Sequence, residues 1–201
     1  ELEAEVPAAR GKTRTVPVPL LPGFTPDPRP MRARPLVLMQ GSTPHKNIAA
    51  QARALAGLPV DTLYIGTPNA EAAEALAAIG ARIESGLDDA TMLARYRECD
   101  LLLFASLYEG YGMPIVEAQA IGRPVVTSDH GATREVAGGA AILVDPESVE
   151  SIRAGVQRVI EDHAERERIV AAGFVNAERT TVERVAALYR AAYAEAAEAR
   201  R

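Results

Sequence analysis

Short apolar runs alternate with longer amphipathic stretches between Pro35 and Asp145. The apolar runs are LVLMQG, TLYIG, DLLLFAS, PVVTSD and AAILVD, with a weaker one near residues 81–85. Apolar residues spaced three and four positions apart predict helices at about 46–57, 69–80, 88–99, from 114 onward and at 133–137. This alternation is typical of an α/β fold, a Rossmann-like, doubly wound parallel sheet with helices on both faces.

The two ends of the chain have different patterns. Residues 1–34 are rich in proline and arginine, which predicts a linker with no regular structure beyond an extended piece near residues 13–20. After Asp145 the pattern is helical, at about 146–162, 164–172 and 182–199. We therefore divide the chain into a linker and interdomain segment, an α/β domain and a C-terminal helix, at residues 1–34, 35–178 and 179–201.

The composition excludes several classes of protein. The 201 residues are 48% hydrophobic and carry a net charge of −5, which predicts one globular core and no general nucleic-acid binding. No apolar run is long enough to span a membrane, and the first residues lack the apolar region of a signal peptide, so we expect a cytoplasmic protein. A single cysteine, Cys99, and three scattered histidines predict neither a disulfide framework nor a metal site.

The loop QGSTPHKN, after the first predicted strand, contains the first candidate site. In open α/β sheets, ligands bind outside the carboxyl ends of the strands, where the strand order reverses. Gly41 lets the chain approach a ligand closely, and Lys46 would add its charge to the free N–H groups of a helix start. The spacing is not that of a Walker loop. A phosphate site and a tight turn with a solvated lysine both fit this loop.

The stretch LYEGYGMPIVEAQAIG contains the second candidate site. Gly110 and Gly112 permit backbone angles that other residues avoid, and Pro114 suits the first turn of a helix. We therefore expect the backbone N–H groups around Gly112, Met113 and Ile115 to point outward and to form an anion site.

Two glutamates, Glu109 and Glu117, flank these glycines. They fit three interpretations: a helix-dipole partner with a solvated neighbour, a glycosidase acid pair, or acceptors for the hydroxyl groups of a nucleotide sugar. The third interpretation accounts for the most features, because a hydrolase pair gives no role to the glycines, Pro114 and Lys46.

The segment SLYEGYGMPIVEAQAIGRPVVTSDHGATREVAGGAAILVDP resembles the donor-binding half of the retaining, two-domain (GT-B) glycosyltransferases of family 4. The E-x7-E signature of that family is present as Glu109 and Glu117, and its phosphate loop as Gly41, Lys46 and Asn47. The similarity extends over about residues 16–162.

The resemblance implies a role for each candidate residue. Glu109 would contact the donor sugar, Glu117 the ribose, and Lys46 the pyrophosphate leaving group, so Glu109 and Lys46 are the expected catalytic residues. The base is expected near residues 84–87. The full expected donor-binding set is Gly41, Ser42, Lys46, Leu87, Glu109, Gly110, Tyr111, Gly112, Met113, Pro114, Ile115 and Glu117.

The resemblance also implies a reaction and partners. We expect transfer of a hexosyl-type group with retention of configuration from a nucleoside-diphosphate sugar, UDP- or GDP-linked, as in polysaccharide biosynthesis, without a cofactor or metal. The acceptor would be a glycan, a lipid-linked sugar or a small molecule, bound by an N-terminal domain absent from this sequence. That domain would also provide any contact with the inner membrane.

Two features leave alternatives open. Ser42 stands where many relatives have an arginine that clamps phosphate, so leaving-group stabilisation is expected to depend mainly on Lys46 or on a group from elsewhere. Because the resemblance covers only the donor-binding half, the chain also fits a non-catalytic nucleotide-sugar-binding subunit or fragment. Half of a sugar-nucleotide epimerase with a GT-B fold is a further alternative.

Overall fold

A computed structural model describes residues 2–198 of the chain. Glu1 of the predicted linker and residues 199–201 of the predicted C-terminal helix lie outside the described residues. The strands are β1 Leu36–Gln40, β2 Asp61–Ile65, β3 Arg82–Glu84, β4 Leu101–Phe104, β5 Val125–Ser128 and β6 Ile142–Val144. The helices are α1 Leu2–Glu5, α2 Ile48–Leu55, α3 Ala70–Ala78, α4 Asp89–Glu98, α5 Met113–Ile121, α6 Gly131–Ala137, α7 Val149–Glu161, α8 His163–Ala177 and α9 Val182–Glu198.

The strands form one parallel sheet in the order β3-β2-β1-β4-β5-β6. In β1, Val37 lies beside Thr62 of β2 on one side and beside Leu101 of β4 on the other. The chain therefore winds in one direction from β1 to β3 and returns to the other side of β1 at β4. This places the reversal of strand order between β1 and β4, and it confirms the predicted doubly wound α/β fold.

Apolar side chains cover both faces of the sheet, as a parallel sheet requires. One face packs against α2, α3 and α7 through a cluster that includes Val37, Leu76 and Val156. The other face packs against α4, α5 and α6 through a cluster that includes Tyr96 and Ile115. Cys99 belongs to this second cluster, and its side chain has no exposed surface.

The segment before β1 is more ordered than its composition predicts. It includes α1 and a 3-10 turn at Pro7–Ala9, so the prediction of no regular structure beyond an extended piece is wrong there. Pro7 starts the turn because proline suits the first helical position. Further along, Arg29 and Arg32 pair with the buried carboxylate of Asp100, just before β4. These contacts attach the segment to the sheet.

Most predicted helix boundaries differ from the observed ones by three residues or fewer. The largest difference is at α8, which continues to Ala177 rather than ending near residue 172. Its additional turn is supported by Asn176, whose amide donates to Gln119 of α5.

Within residues 2–198, no helix has both the length and the apolar character needed to cross a membrane.

Candidate active site

The two candidate loops meet at the carboxyl edge of the sheet, where the strand order reverses. The first loop follows β1 and the second follows β4, and β1 and β4 are neighbours. Lys46 Nζ lies 2.7 Å from Glu109 Oε1, although the two residues are far apart in the sequence. Their side chains are 19% and 10% exposed, so this ion pair is largely shielded from solvent.

Lys46 is held over the first loop by close packing. A Cβ atom at Gly41 would lie 2.5 Å from Lys46 Cγ, and the φ angle of Gly41 is +114°. Both observations require glycine at position 41. The ammonium group also lies 4.8 Å from the centre of the Phe104 ring, a cation–π contact. The lysine is therefore fixed beside Glu109 rather than solvated, contrary to the tight-turn alternative.

Asn47 joins three loops at this edge. Its side-chain amide donates to the carbonyl oxygen of Ala105 at 3.1 Å and to that of Pro146 at 2.7 Å. Asn47 has a φ angle of +58°, a left-handed conformation that asparagine tolerates better than most residues. The N–H of Leu107 also donates to the carbonyl of His45, at 2.8 Å. The two candidate loops are thus connected by the Asn47 side chain and by a backbone hydrogen bond.

Helix α5 begins at this junction with free backbone donors. Gly112 precedes it with a φ angle of +109° and no side-chain cap. The N–H groups of residues 110–113 have no acceptor among residues 2–198. The N–H of Ile115 instead donates to the carbonyl of Gly112 at 3.0 Å, so its predicted outward direction is wrong. A tight first turn explains this, because 3-10 bonds are common at helix starts.

The helices that begin at the two loops differ from others in the chain. Side chains of Asn69, Asp88, Ser148 and Asp162 cap α3, α4, α7 and α8 by accepting a backbone hydrogen bond. From α2 to α8, the helices without such a cap are α2, α5 and α6. The positive N-terminal ends of α2 and α5 are therefore not neutralised by a cap, and both lie next to Lys46 and Glu109.

Glu117 lies one turn into α5, and its carboxylate accepts a hydrogen bond from a residue of α4. The Tyr96 hydroxyl donates to Glu117 Oε2 at 2.6 Å, and Gln40 Nε2 donates to the Tyr96 oxygen. Burial raises the pKa of Glu117, the Tyr96 hydrogen bond lowers it, and the charge of Asp89 raises it further. Neither Tyr96 nor Gln40 was among the residues selected from the sequence. Tyr96 occupies a core position in the pattern of α4, so the sequence did not indicate that its hydroxyl group would contact Glu117.

The remaining predicted residues surround this junction at different depths. Ser42 is exposed, and its hydroxyl oxygen accepts from the N–H of Thr67 at 2.8 Å, which connects the loops after β1 and β2. Leu87 packs against the apolar cluster beside α4. Gly110 and Tyr111 line a cavity of about 840 Å³, together with part of the N-terminal segment and α9. Met113 and Pro114 form the first turn of α5.

Histidines also occur near this edge. The rings of His45 and Tyr108 lie edge to face, with centres 6.4 Å apart, and His130 precedes α6. Among residues 2–198, no group of three or more histidine, cysteine, aspartate or glutamate side chains is arranged to hold a metal ion.

Comparison with known proteins identifies the family. Residues 69–175, more than half of the chain, match the family model for glycosyl transferases group 1. The chain belongs to the group 1 glycosyltransferases. Among curated relatives, the MMP alpha-(1->4)-mannosyltransferase of Mycolicibacterium hassiacum is 31% identical over 159 residues, which is 73% of this chain and 39% of the relative.

Solved glycosyltransferase structures share the fold. Sucrose-phosphate synthase from Thermosynechococcus elongatus superimposes with a TM-score of 0.77 at 21% identity, over 98% of this chain and 56% of that one. Anabaena HepE, solved in complex with UDP and glucose, gives a TM-score of 0.66 at 22% identity, over 82% of this chain and 48% of that one. This group 1 glycosyltransferase chain thus spans 39% of the mannosyltransferase and about half of each solved relative.

Proposed function

We propose that this chain is the donor-binding half of a retaining GT-B glycosyltransferase and that it binds a nucleoside-diphosphate sugar at the junction of its two loops. The observation that carries the proposal is the meeting of Lys46, Glu109 and the uncapped start of α5 at the reversal of strand order. A cation, free N–H donors and a carboxylate match a ligand that combines phosphates with hydroxyl groups.

The diphosphate would bind between Lys46 and the start of α5. The free N–H groups of residues 110–113 would donate to its oxygens, and the positive end of the helix would favour its charge. Lys46 would leave Glu109 and pair with the phosphate. Leaving-group stabilisation would come from this one lysine and backbone donors, since Ser42 stands where many relatives have arginine.

The two glutamates would accept from the hydroxyl groups of the donor. Glu109, released by Lys46, would accept from the sugar, and Glu117 would accept from the ribose. The base would lie at the end of β3, toward Leu87. Related proteins include an enzyme named as a mannosyltransferase and a structure solved with UDP and glucose, which supports a UDP- or GDP-linked hexose as donor.

The reaction would be a substitution at the anomeric carbon. The bond from this carbon to the diphosphate oxygen breaks, and a bond to an acceptor oxygen forms on the same face of the sugar. The charge that develops on the departing diphosphate would be stabilised by the N–H groups and by Lys46, which donor binding has already moved from Glu109 to the phosphate, so no reorganisation is needed in the chemical step itself. The acceptor hydroxyl proton would leave with the diphosphate or with solvent.

The domain assignment belongs to the same proposal. Residues 35–178 would form the donor domain, and the flanking segments 1–34 and 179–201 would connect it to an acceptor-binding domain. That domain would bind the glycan, lipid-linked sugar or small-molecule acceptor. We place the activity in the cytoplasm, with any contact to the inner membrane made by the second domain.

Isothermal titration calorimetry with UDP-, GDP- and ADP-sugars tests the proposal. We expect selective binding of one nucleotide and a weakening of about tenfold or more in Lys46→Met, because one charge-assisted hydrogen bond is lost. Lys12→Met is the matched control, since Lys12 is the other lysine and lies exposed in the N-terminal segment. No binding of any nucleotide, or equal affinities of the two variants, would contradict the proposal.

A further inference from the structure

A buried tyrosine connects Glu117 to the sheet. The Tyr96 hydroxyl donates to Glu117 Oε2 at 2.6 Å and accepts from Gln40 Nε2. A phenol has one proton, and its oxygen here already accepts from an amide, so the proton is directed toward the carboxylate. In this chain of hydrogen bonds, Gln40 therefore donates to Tyr96, and Tyr96 donates to Glu117.

The packing around Tyr96 fixes the direction of that hydroxyl. The side chain has no exposed surface, and its ring packs edge to face on Phe24 with centres 5.4 Å apart. Gln40 is the last residue of β1, at the carboxyl edge of the sheet. Three parts of the fold thus hold the Tyr96 hydroxyl group in place. Tyr96 itself belongs to α4, Gln40 of β1 donates to its oxygen, and Phe24 of the N-terminal segment covers its ring.

The carboxylate held in this way keeps one oxygen free. Glu117 Oε2 accepts from Tyr96, whereas Oε1 accepts no hydrogen bond from residues 2–198. Glu117 itself is only partly buried, so this oxygen can reach a ligand. A carboxylate with one anchored and one free oxygen is suited to a pair of adjacent hydroxyl groups, such as those of a ribose.

We propose that Tyr96 is a positioning residue that aims Glu117 at the ribose and makes nucleotide binding depend on the 2′-hydroxyl group. The inference rests on the proposed donor site. A 2′-deoxyribose lacks one of the two donors and leaves one acceptor site of the fixed carboxylate oxygen without a partner. Sites built to hydrogen-bond a hydroxyl group reject analogues that lack it for this reason.

Calorimetry on the whole chain tests the inference, with the nucleoside diphosphate that binds and its 2′-deoxy counterpart as probes. We expect the parent to prefer the ribonucleotide by about ten- to a hundredfold. In Tyr96→Phe the ratio should fall below about threefold, mainly through weaker ribonucleotide binding, because the aimed carboxylate is lost. Gln40→Met, which leaves Tyr96 in place but frees its proton to rotate, should give an intermediate ratio.

Tyr64→Phe is the matched control. Tyr64 is also a fully buried tyrosine, and its hydroxyl donates to the carbonyl of Gly41 at 2.7 Å in the loop after β1. Removal of that hydroxyl group affects the predicted phosphate loop and should change the affinities for both probes equally. The ratio between ribonucleotide and deoxyribonucleotide should therefore equal that of the parent.

The pH dependence of binding gives a second measurement. Burial raises the pKa of Glu117, the Tyr96 hydrogen bond opposes this, and the charge of Asp89 on α4 adds to it. Removal of the opposing hydrogen bond in Tyr96→Phe should move the loss of ribonucleotide binding on acidification to a higher pH. Tyr64→Phe should leave that pH unchanged.

The outcomes separate the inference from the proposed function. If the parent binds ribonucleotide but does not discriminate, or if Tyr96→Phe keeps both the parental ratio and the parental pH profile, the inference is wrong and the donor site stands. If the parent binds no nucleotide, both fail together. A lost ratio and a moved pH profile in Tyr96→Phe, with neither change in Tyr64→Phe, would support the inference.

Discussion

Removal of the Lys46 charge should destabilise the fold as well as weaken ligand binding. In Lys46→Met the unbranched stem can still pack over Gly41, but Glu109 becomes an unpaired carboxylate that is only 10% exposed. At 2.7 Å and an effective dielectric constant of about 20, the lost attraction is about 6 kcal/mol before desolvation. Much of this is offset, because each charge loses hydration in the pair.

The net cost should lie between two known limits. Loss of an exposed pair costs about 0–1 kcal/mol, and loss of one partner of a fully buried pair about 3–5 kcal/mol. For this shielded pair we expect about 2 kcal/mol for Lys46→Met. Glu109→Gln should cost about 1 kcal/mol, because Lys46 is more exposed and keeps its contact with Phe104. The double variant should be more stable than Lys46→Met, because neither charge remains unpaired.

Urea denaturation, monitored by circular dichroism, measures these differences in the free energy of unfolding. The dependence of that free energy on urea concentration (the m value) should be the same in all variants. The matched control is the pair formed by Arg53 and Glu71, which is 2.6 Å long with side chains 53% and 62% exposed. Arg53→Met should cost less than about 1 kcal/mol. The reasoning is refuted if Lys46→Met is as mild as Arg53→Met, or if the double variant is as unstable as the sum of its single changes.

Ligand binding by the same variants separates stability from the proposed role. Glu109→Gln should bind a bare nucleoside diphosphate at least as tightly as the parent, because Lys46 no longer has a competing carboxylate. It should lose the added affinity that the sugar provides. The double variant should regain stability without regaining diphosphate binding. Full binding by the double variant would remove Lys46 from the phosphate site.

Three further predictions concern the interior of the protein. Burial raises the pKa of Glu117 above its ordinary value of 4.5, so the stability that this group contributes is present at low pH and lost as pH rises through the raised pKa. Glu117→Gln should therefore have a higher Tm than the parent at neutral pH, with the gap closing below 4.5, and a constant gap would contradict this. Burial raises the pKa of the Cys99 thiol to about 12, so thiol reagents should modify it only after unfolding, and rapid labelling of the native protein would show otherwise. A Cβ atom at Gly155 of α7 would lie 2.5 Å from Val144 Cγ1, so Gly155→Ala should destabilise the fold by about 1–3 kcal/mol despite the better helix propensity of alanine, and a raised Tm would contradict it.

The alternation of apolar runs and helices was sufficient to predict the strands and α-helices from β1 to α9 and the class of sheet. It also predicted that Lys46 and Glu109 belong to one edge, since both follow strands and the carboxyl ends of parallel strands share an edge. Their direct contact could not be predicted, because it depends on how Lys46 folds over Gly41. Local pattern contains no information on such a side-chain direction.

Two other features depend on tertiary packing rather than on local pattern. The hydrogen bond from Tyr96 to Glu117 joins α4 to α5, and the local pattern of either helix gives no sign of the other. Tyr96 also occupies a buried position of α4, so the pattern predicts only that it belongs to the core. The N-terminal segment was predicted as a linker because proline prevents regular structure. Its arginines nevertheless bind Asp100, since a buried carboxylate requires partners that only another segment can provide.

The ion pairs at the two edges of the sheet differ in how completely they are satisfied. At the amino edge, both oxygens of Asp100 have partners: the N–H of Leu36 at 2.8 Å and the side chains of Arg29 and Arg32. At the carboxyl edge, Glu109 accepts only from Lys46 among residues 2–198, and one of its oxygens has no partner. Asp100 is thus fully paired within the protein, and removal of these partners would leave a buried charge unpaired. A ligand that offers phosphate to Lys46 and hydroxyl groups to Glu109 leaves neither unpaired, so the exchangeable pair is at the edge where we place the donor.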